Sequence, residues 1–248
     1  SDQLIPKQSL MSREAIEMNV ESVTVEAADT KTIRLTWPEG HNPEFKTGQF
    51  ITCNWPDEPS YRRAYSLSSC ALDRGFYEFT VRRDGKMGTR LVDWIKPNQK
   101  LVVLPPAGRF LPVYEPQKHL ICMAGGSGVT PFRGFVREAT RQKLETKITV
   151  LYSVRTPKDI IFNSEFLQLA RENPRFTFAV TCTRAQPADQ WSGRSGRIDA
   201  EWVRQQVGDS AETIFYACGP TPLVEFAEHI VLNDLGVTKA QMKTEKWG

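Results

Sequence analysis

Between residues 18 and 27 apolar and polar residues alternate, the period of a strand with one buried face. Shorter strand-like runs follow at 32–36, 49–55, 63–69, 77–82 and 101–104, separated by clusters rich in Gly, Pro, Asn and Asp. Many short strands at this spacing predict an antiparallel barrel or sandwich, interrupted by one short helix near 88–95. The pattern then changes. Compact apolar strands at 119–124, 147–154, 176–181 and 213–217 alternate with helical stretches from about 131 and at 163–172, 200–207 and 222–235. Such alternation predicts a parallel sheet covered by helices on both faces. Pro112 and Pro116 flank the connector between the two patterns. The expected architecture is a flexible lead-in at residues 1–14, an antiparallel β-barrel domain at 15–112 and an α/β parallel-sheet domain at 117–248. The cleft between the two domains is the expected ligand site.

Composition changes this picture little but excludes several functions. The chain has 248 residues, 40% of them hydrophobic and 25% charged, with a formal net charge of +3. That balance is ordinary for a globular protein, and too mild for a nucleic-acid binder, which needs a dense basic face. No apolar run reaches the length of a membrane span. The five cysteines, Cys53, Cys70, Cys122, Cys182 and Cys218, are widely spaced, and His41, His119 and His229 lie far from one another. Neither a metal centre nor a disulfide framework is expected. Free thiols imply a reducing compartment, so the expected location is the cytoplasm.

The strongest local feature follows the first strand of the second half. Residues Gly125-Gly126-Ser127-Gly128-Val129-Thr130-Pro131 join that strand to a helix. Glycines permit a tight turn and a close approach by phosphate. Thr130 is placed to cap the helix and Pro131 to occupy its first position. A helix N-terminus with free N–H groups suits a pyrophosphate. Arg133, in the first turn, opposes the helix dipole, which makes sense if an anion binds between them. The turn departs from G-x-G-x-x-G because Pro131 stands at the last glycine, and the next strand ends at Val154-Arg155 rather than in an acid. A G-x-S-x-G elbow fails at Val129. A strand-to-helix turn without a ligand is the competing reading.

In the first half, Arg63-Ala64-Tyr65-Ser66 puts Arg63 and Tyr65 on one face of a strand and Ala64 and Ser66 on the other. Arginine can grip a phosphate with two parallel hydrogen bonds, an aromatic ring can pack along a flat ring system, and serine both donates and accepts. Alone, these residues fit a solvated strand face equally well.

Arg63-Ala64-Tyr65-Ser66 resembles the R-x-Y-S flavin signature of the ferredoxin–NADP reductase superfamily. Val81-Arg82-Arg83, Met87-Gly88-Thr89 and residues 106–110 resemble further motifs of that family. The glycine turn resembles its G-G-x-G-x-T-P nucleotide loop, and Cys218-Gly219-Pro220 its C-G-P motif. The six matches run in family order. The resemblance implies a flavin-dependent oxidoreductase that transfers hydride from NADH or NADPH to bound FAD and electrons onward to an iron–sulfur protein or oxygenase component. It implies that Arg63 binds the FAD pyrophosphate, that Tyr65 packs on the flavin, that Ser66 lies near flavin N5, and that residues 81–83 line the cofactor. It places Gly88 and Thr89 at the start of the short helix against the pyrophosphate. It puts Gly126, Gly128, Thr130 and Pro131 around the nucleotide, and Cys218, Gly219 and Pro220 beside the nicotinamide. Cys218 also reads as a buried structural thiol.

Arg155, Thr183 and Arg184 resemble the place where NADPH-using relatives hold the 2′-phosphate, and an arginine suits that dianion. Solvent-facing arginines are the alternative, so the choice between NADH and NADPH stays open. The tail, Thr244-Glu245-Lys246-Trp247-Gly248, resembles the Glu-Lys/Arg-Phe ending of oxygenase reductases. There Glu245 shapes the nicotinamide pocket and Trp247 covers the flavin; a frayed terminus is the alternative. The cysteine run of a [2Fe–2S] domain is absent, so the redox partner is expected on a separate protein unless the chain was cut. A flavin reductase with dissociable flavin and a non-catalytic nucleotide-sensing subunit are the rival functions.

Overall fold

The computed structural model describes residues 14–208 and 210–247. The expected lead-in therefore lies, apart from Glu14, outside the described residues. Alternation in the first half becomes a six-stranded antiparallel sheet built from β1 (Ile16–Ala27), β2 (Thr30–Thr36), β3 (Phe50–Asn54), β4 (Arg63–Ser66), β5 (Phe76–Arg82) and β6 (Lys100–Val103). Its order is β4-β3-β6-β1-β2-β5. A bridge between Leu67 and Phe79 joins the two edge strands and closes the sheet into a barrel. The Ser68 amide continues the closure by donating to the Glu78 carbonyl at 2.8 Å. Closure removes the exposed edges that an open sheet would present. Met18, Val20, Ile33, Leu35, Ile51 and Phe79 fill the interior.

Strand β5 is buried on both faces. Tyr77, Phe79 and Val81 point into the barrel core, whereas the alternate residues Glu78 and Thr80 are polar and yet only 5% exposed. Their face is covered by the second domain. Helix α1 (Gly85–Trp94) follows β5 and starts three residues earlier than its apolar pattern predicts. Gly88 therefore sits inside the helix. A Cβ there would come within 2.5 Å of the Arg82 carbonyl, so this glycine permits close packing of α1 on β5.

The second half is a parallel sheet of β7 (His119–Gly125), β8 (Lys147–Val154), β9 (Phe176–Cys182), β10 (Arg194–Ser195), β11 (Thr213–Pro220) and β12 (Met242–Trp247), in the order β10-β9-β8-β7-β11-β12. Helices α2 (Thr130–Arg141), α3 (Asn163–Glu172), α4 (Ala200–Gln206) and α5 (Thr221–His229) lie between the strands in sequence. Two hydrophobic clusters flank the sheet. One packs Cys122, Phe132, Phe135 and Phe166 on the side of α2 and α3; the other packs Met123, Trp202, Val203 and Val224 on the side of α4 and α5. The chain leaves β7 for β8 on one side and later returns to β11 on the other. The carboxyl ends of β7 and β11 thus form a topological switch point, where open α/β sheets bind ligands.

Three elements differ from the expectations. The helix expected through residue 235 ends at His229 and continues as one π-type turn, Ile230–Asp234. The two-residue strand β10 carries too little pattern to register. The tail is a strand: β12 pairs in parallel with β11, setting Cys218 opposite Glu245 and Pro220 opposite Trp247. Its sequence, Met-Lys-Thr-Glu-Lys-Trp, shows no apolar alternation because it lies at the sheet edge.

Candidate functional site

A cleft of about 540 Å³ opens between the barrel and the parallel sheet, within the size range of small-molecule sites. Arg63, Ala64, Tyr65 and Ser66 of β4 form one wall, with Thr80, Val81 and Arg82 of β5 beside them. Asp84, Gly85 and Met87 bring in the first turn of α1. From the other domain come Ser127, Thr130, Glu245, Lys246 and Trp247. The structure therefore gathers residues from positions 63 and 247 into one cavity.

At the barrel end, the Arg63 guanidinium lies 4.2 Å from the Tyr61 ring centroid and donates to the Tyr61 hydroxyl at 3.0 Å. Among the described residues it makes no ion pair, which leaves its charge available to an anion. The Asp84 carboxylate makes no capping bond to α1, so the N–H groups of that first turn lack this partner. Tyr65 stacks on Phe79 with ring centroids 5.2 Å apart, and burial pushes its phenol up. Arg63 and the turn of α1 supply an anion grip beside an aromatic wall, a donor set that fits a dinucleotide carrying a diphosphate and a flat ring.

At the other end of the cleft, the Ser66 hydroxyl donates to the Glu245 carboxylate across the domain junction. Burial pushes the Glu245 carboxyl up from its ordinary 4.5, and the Ser66 hydrogen bond offsets only part of that. Cys218 is fully buried, and burial, reinforced by the nearby Glu245 charge, pushes its thiol well up. It is a neutral thiol, unsuited to nucleophilic work. Trp247 packs in part against the α2-side core, and its carbonyl accepts from Thr221 at 3.2 Å.

The glycine turn is more differentiated than its sequence suggests. It forms a short 3-10 segment, Gly126–Val129, leading directly into α2. A Cβ on Gly128 would lie 2.0 Å from the Cys218 carbonyl, and one on Gly125 would lie 2.5 Å from Leu223 Cδ1. Those two glycines serve the packing of the switch point. Gly126 has φ +55° and open space around it, so it serves the turn itself. Thr130 is the first residue of α2 rather than its cap; its hydroxyl donates back to the Ser127 carbonyl at 2.6 Å. Pro131 is buried just behind it.

Most other expected residues lie outside the cleft lining. Gly88 and Thr89 sit one turn into α1, behind Met87. Arg83 pairs with Asp93, and Arg82, at the cleft edge, pairs with Asp29. Gly219 has φ +150°, and a Cβ there would lie 3.1 Å from the Gly125 carbonyl oxygen, where the ends of β11 and β7 meet. Arg155, Thr183 and Arg184 are exposed and adjacent at the carboxyl ends of β8 and β9. The Arg184 amide donates to the Arg155 carbonyl at 2.8 Å, and neither guanidinium has an ion-pair partner among the described residues. Arg133 departs furthest from expectation: it is 8% exposed and bonded to Glu78 and Glu165, with no opening toward the cleft. Sequence reasoning missed Phe50, Tyr61, Thr80, Asp84 and Gly85, which no motif marks and which only the fold assembles; Ser127 and Lys246 lie inside the quoted motifs but carry no assigned role there.

Comparison with known proteins agrees with this geometry. Residues 17–111 match the oxidoreductase FAD-binding domain, and residues 122–229 match the oxidoreductase NAD-binding domain. The glycine betaine monooxygenase reductase subunit of Chromohalobacter salexigens is 29% identical over 208 residues, covering 82% of this chain and 56% of that protein. The chain thus spans little more than half of that relative. A component of the Na(+)-translocating NADH-quinone reductase of Pseudomonas aeruginosa is 25% identical over 276 residues, covering 94% of this chain and 67% of that protein. Among solved structures, the FAD/NAD-binding domain of nitric oxide dioxygenase from Vibrio cholerae superposes with a TM-score of 0.83 at 23% identity, covering 95% of this chain and all of that one. No helix among the described residues is long and apolar enough to cross a membrane.

Proposed function

Because the chain belongs to the ferredoxin-reductase-like oxidoreductases, with an FAD-binding barrel followed by an NAD-binding α/β domain, we propose that it is a reductase carrying electrons from NADH or NADPH, through FAD, to an iron–sulfur protein or oxygenase component. The observation that carries this reading is the single cleft shared by the Arg63–Ser66 strand and by Ser127, Thr130 and Trp247 of the other domain. The division into domains at 15–112 and 117–248 belongs to the same reading.

The flavin, when bound, supplies the chemistry: it takes two electrons as hydride and releases them one at a time. The chain supplies position. Arg63 and the first turn of α1 would hold the diphosphate, with Met87 and Val81 beside it. Tyr65 and Trp247 present flat surfaces to a ring system, Trp247 from the domain that also carries the nucleotide turn. Ser66, tied to Glu245, has its hydroxyl oriented by a group from the opposite domain. Cys218 lies behind the lining and supports the turn by packing, since burial pushes its thiol up and its carbonyl abuts Gly128. Gly126, Thr130, Gly219 and Pro220 surround the switch point where the nicotinamide dinucleotide would enter. Arg155, Thr183 and Arg184 stand at the ends of β8 and β9, two and three strands from β11, as a site for the far phosphates of that dinucleotide. The acceptor is a ferredoxin, a Rieske-type centre or another oxygenase component, consistent with the monooxygenase reductase subunit that the chain resembles.

The test is anaerobic titration of the purified protein with NADH and, separately, NADPH, followed by absorbance. Bleaching of a bound flavin by either nucleotide is expected. Flavin lost on gel filtration would favour flavin as a dissociable substrate, and nucleotide binding without bleaching would sink the catalytic reading.

A further inference from the structure

Arginines at positions 133, 137 and 141 recur every four residues, which places all three on one face of α2. Like charges at this spacing repel and weaken a helix on its own. Carboxylates from other elements meet each of them. Arg133 Nη1 lies 2.8 Å from Glu78 of the barrel strand β5, and its Nε lies 2.7 Å from Glu165 of α3. Arg137 also bonds Glu165 and lies 3.7 Å from Asp73 of the barrel. Arg141 is 2.5 Å from the other oxygen of Asp73. Gly134 lets this face approach closely, since a Cβ there would sit 3.0 Å from Thr47 Cγ2 and 3.2 Å from the Ser69 carbonyl.

We infer that this arginine ladder is the strut that sets the spacing of the two domains, with Arg133 as the positioning residue for transfer between nicotinamide and flavin. The connectivity supports the assignment. Arg133 lies three residues beyond Thr130, which lines the cleft from the nucleotide side. Glu78 lies two residues before Thr80, which lines it from the flavin side. One side chain, with Nη1 on Glu78 and Nε on Glu165, thus joins the helix that carries the nucleotide turn to the strand that lines the flavin site. Arg133 is 8% exposed and Glu78 5%. Ion pairs buried to this degree are costly to desolvate and are poor stabilisers compared with apolar packing. What they provide that apolar packing does not is a directional bond of fixed length. The Glu78 carboxylate is held in turn by Arg34, at 2.8 Å, so the barrel end of the strut does not swivel.

The positioning role rests on the proposed function; the strut itself does not, and two readouts keep them apart. Cysteines introduced at the exposed positions Val25, on β1, and Leu167, on α3, can carry spin labels, because the native cysteines are buried. A single narrow interdomain distance is expected in the parent. Arg133→Met should broaden it, and Arg133→Lys, which keeps charge but not the two-pronged grip, should broaden it less. Unchanged distributions in both variants would overturn the strut. In single-turnover reduction at saturating NADH or NADPH, whichever bleaches the parent, Arg133→Met should lower the limiting rate about tenfold or more, with flavin retention and nucleotide affinity preserved. A purely structural role would lower stability and leave that limiting rate intact, and such a result would overturn the positioning assignment. If Arg133→Met fails to fold, Arg133→Lys and Arg137→Gln carry the same comparison. If neither nucleotide reduces the parent flavin, the proposed function fails, while the distance measurement still decides the strut.

Discussion

Glu78 and Glu245 are both acids withdrawn from water where the two domains meet, but Glu78 is surrounded by guanidinium groups and Glu245 meets a single hydroxyl. Glu78 has ion-pair contacts with Arg34, Arg133 and Arg137. Glu245 has the Ser66 hydrogen bond and, among the described residues, no ion-pair partner. The difference lies in what surrounds them. At Glu78 three guanidinium groups make the side chain part of the joint between the domains. At Glu245 the charged form is left at a disadvantage, next to a cleft and opposite Cys218. Carboxyls treated in this second way are the ones whose protonation a ligand can alter. One interface thus contains a fixed joint and a responsive contact.

The contrast breaks most readily at the joint. Glu78→Ala removes one partner of a buried pair and leaves Arg133 with only Glu165; a loss of about 3 kcal/mol in unfolding free energy is expected. Urea unfolding monitored by far-UV circular dichroism would report it, and a loss below ~1 kcal/mol would mean that water or Glu165 replaces the contact. A smaller effect is expected at the switch point. Gly128→Ala forces a Cβ to within 2.0 Å of the Cys218 carbonyl, so β11 or the turn must move. The expected cost is about 2 kcal/mol, in the range of overpacked cores, together with weaker nucleotide binding. Gly126→Ala meets no atom and faces only the left-handed backbone, for about 1 kcal/mol. Equal losses at the two glycines would show that the turn relaxes as a unit and that the Cys218 contact does not constrain it.

The fold was largely legible because its signals are local. Alternation marks β1, and Lys147–Val154 and Asn163–Glu172 match their apolar patterns to the residue. The switch from period two to strand–helix alternation separates the two architectures. The candidate site was legible only where a motif carries it. The glycine turn announces a close backbone approach, but which glycine serves the turn and which serves packing depends on where the end of β11 passes. Arg133 shows the limit most clearly. In sequence it is a cation misplaced at a helix N-terminus, which gives the expectation of a bound anion; the structure meets it with the chain's own carboxylates instead. The counter-ions are Glu78 and Glu165, which lie 55 and 32 residues away, and no local pattern links them. β12 was illegible for a related reason: an edge strand without alternation acquires its identity from β11 beside it.

The finest test of the contrast is Glu245→Gln, where the expected effect on stability is small and its sign against pH is the informative part. Burial raises the folded-state carboxyl above 4.5, its ordinary value. Between that value and the folded one, the native protein keeps a proton that the unfolded chain has released. Stability conferred by this group therefore falls as pH rises through the window and levels off above it. The amide in the variant does not titrate, so the stability of the parent relative to the variant should decline with rising pH and then flatten. Thermal midpoints of the two proteins, measured side by side from mildly acidic to neutral pH, give this difference directly. A parent advantage that grows with pH would mean that a cation reaches Glu245 in solution, which would make it a second joint like Glu78. With nucleotide bound, a shift of the window would identify the ligand as the missing neighbour, and would place the responsive side of the interface where Ser66 and Glu245 meet.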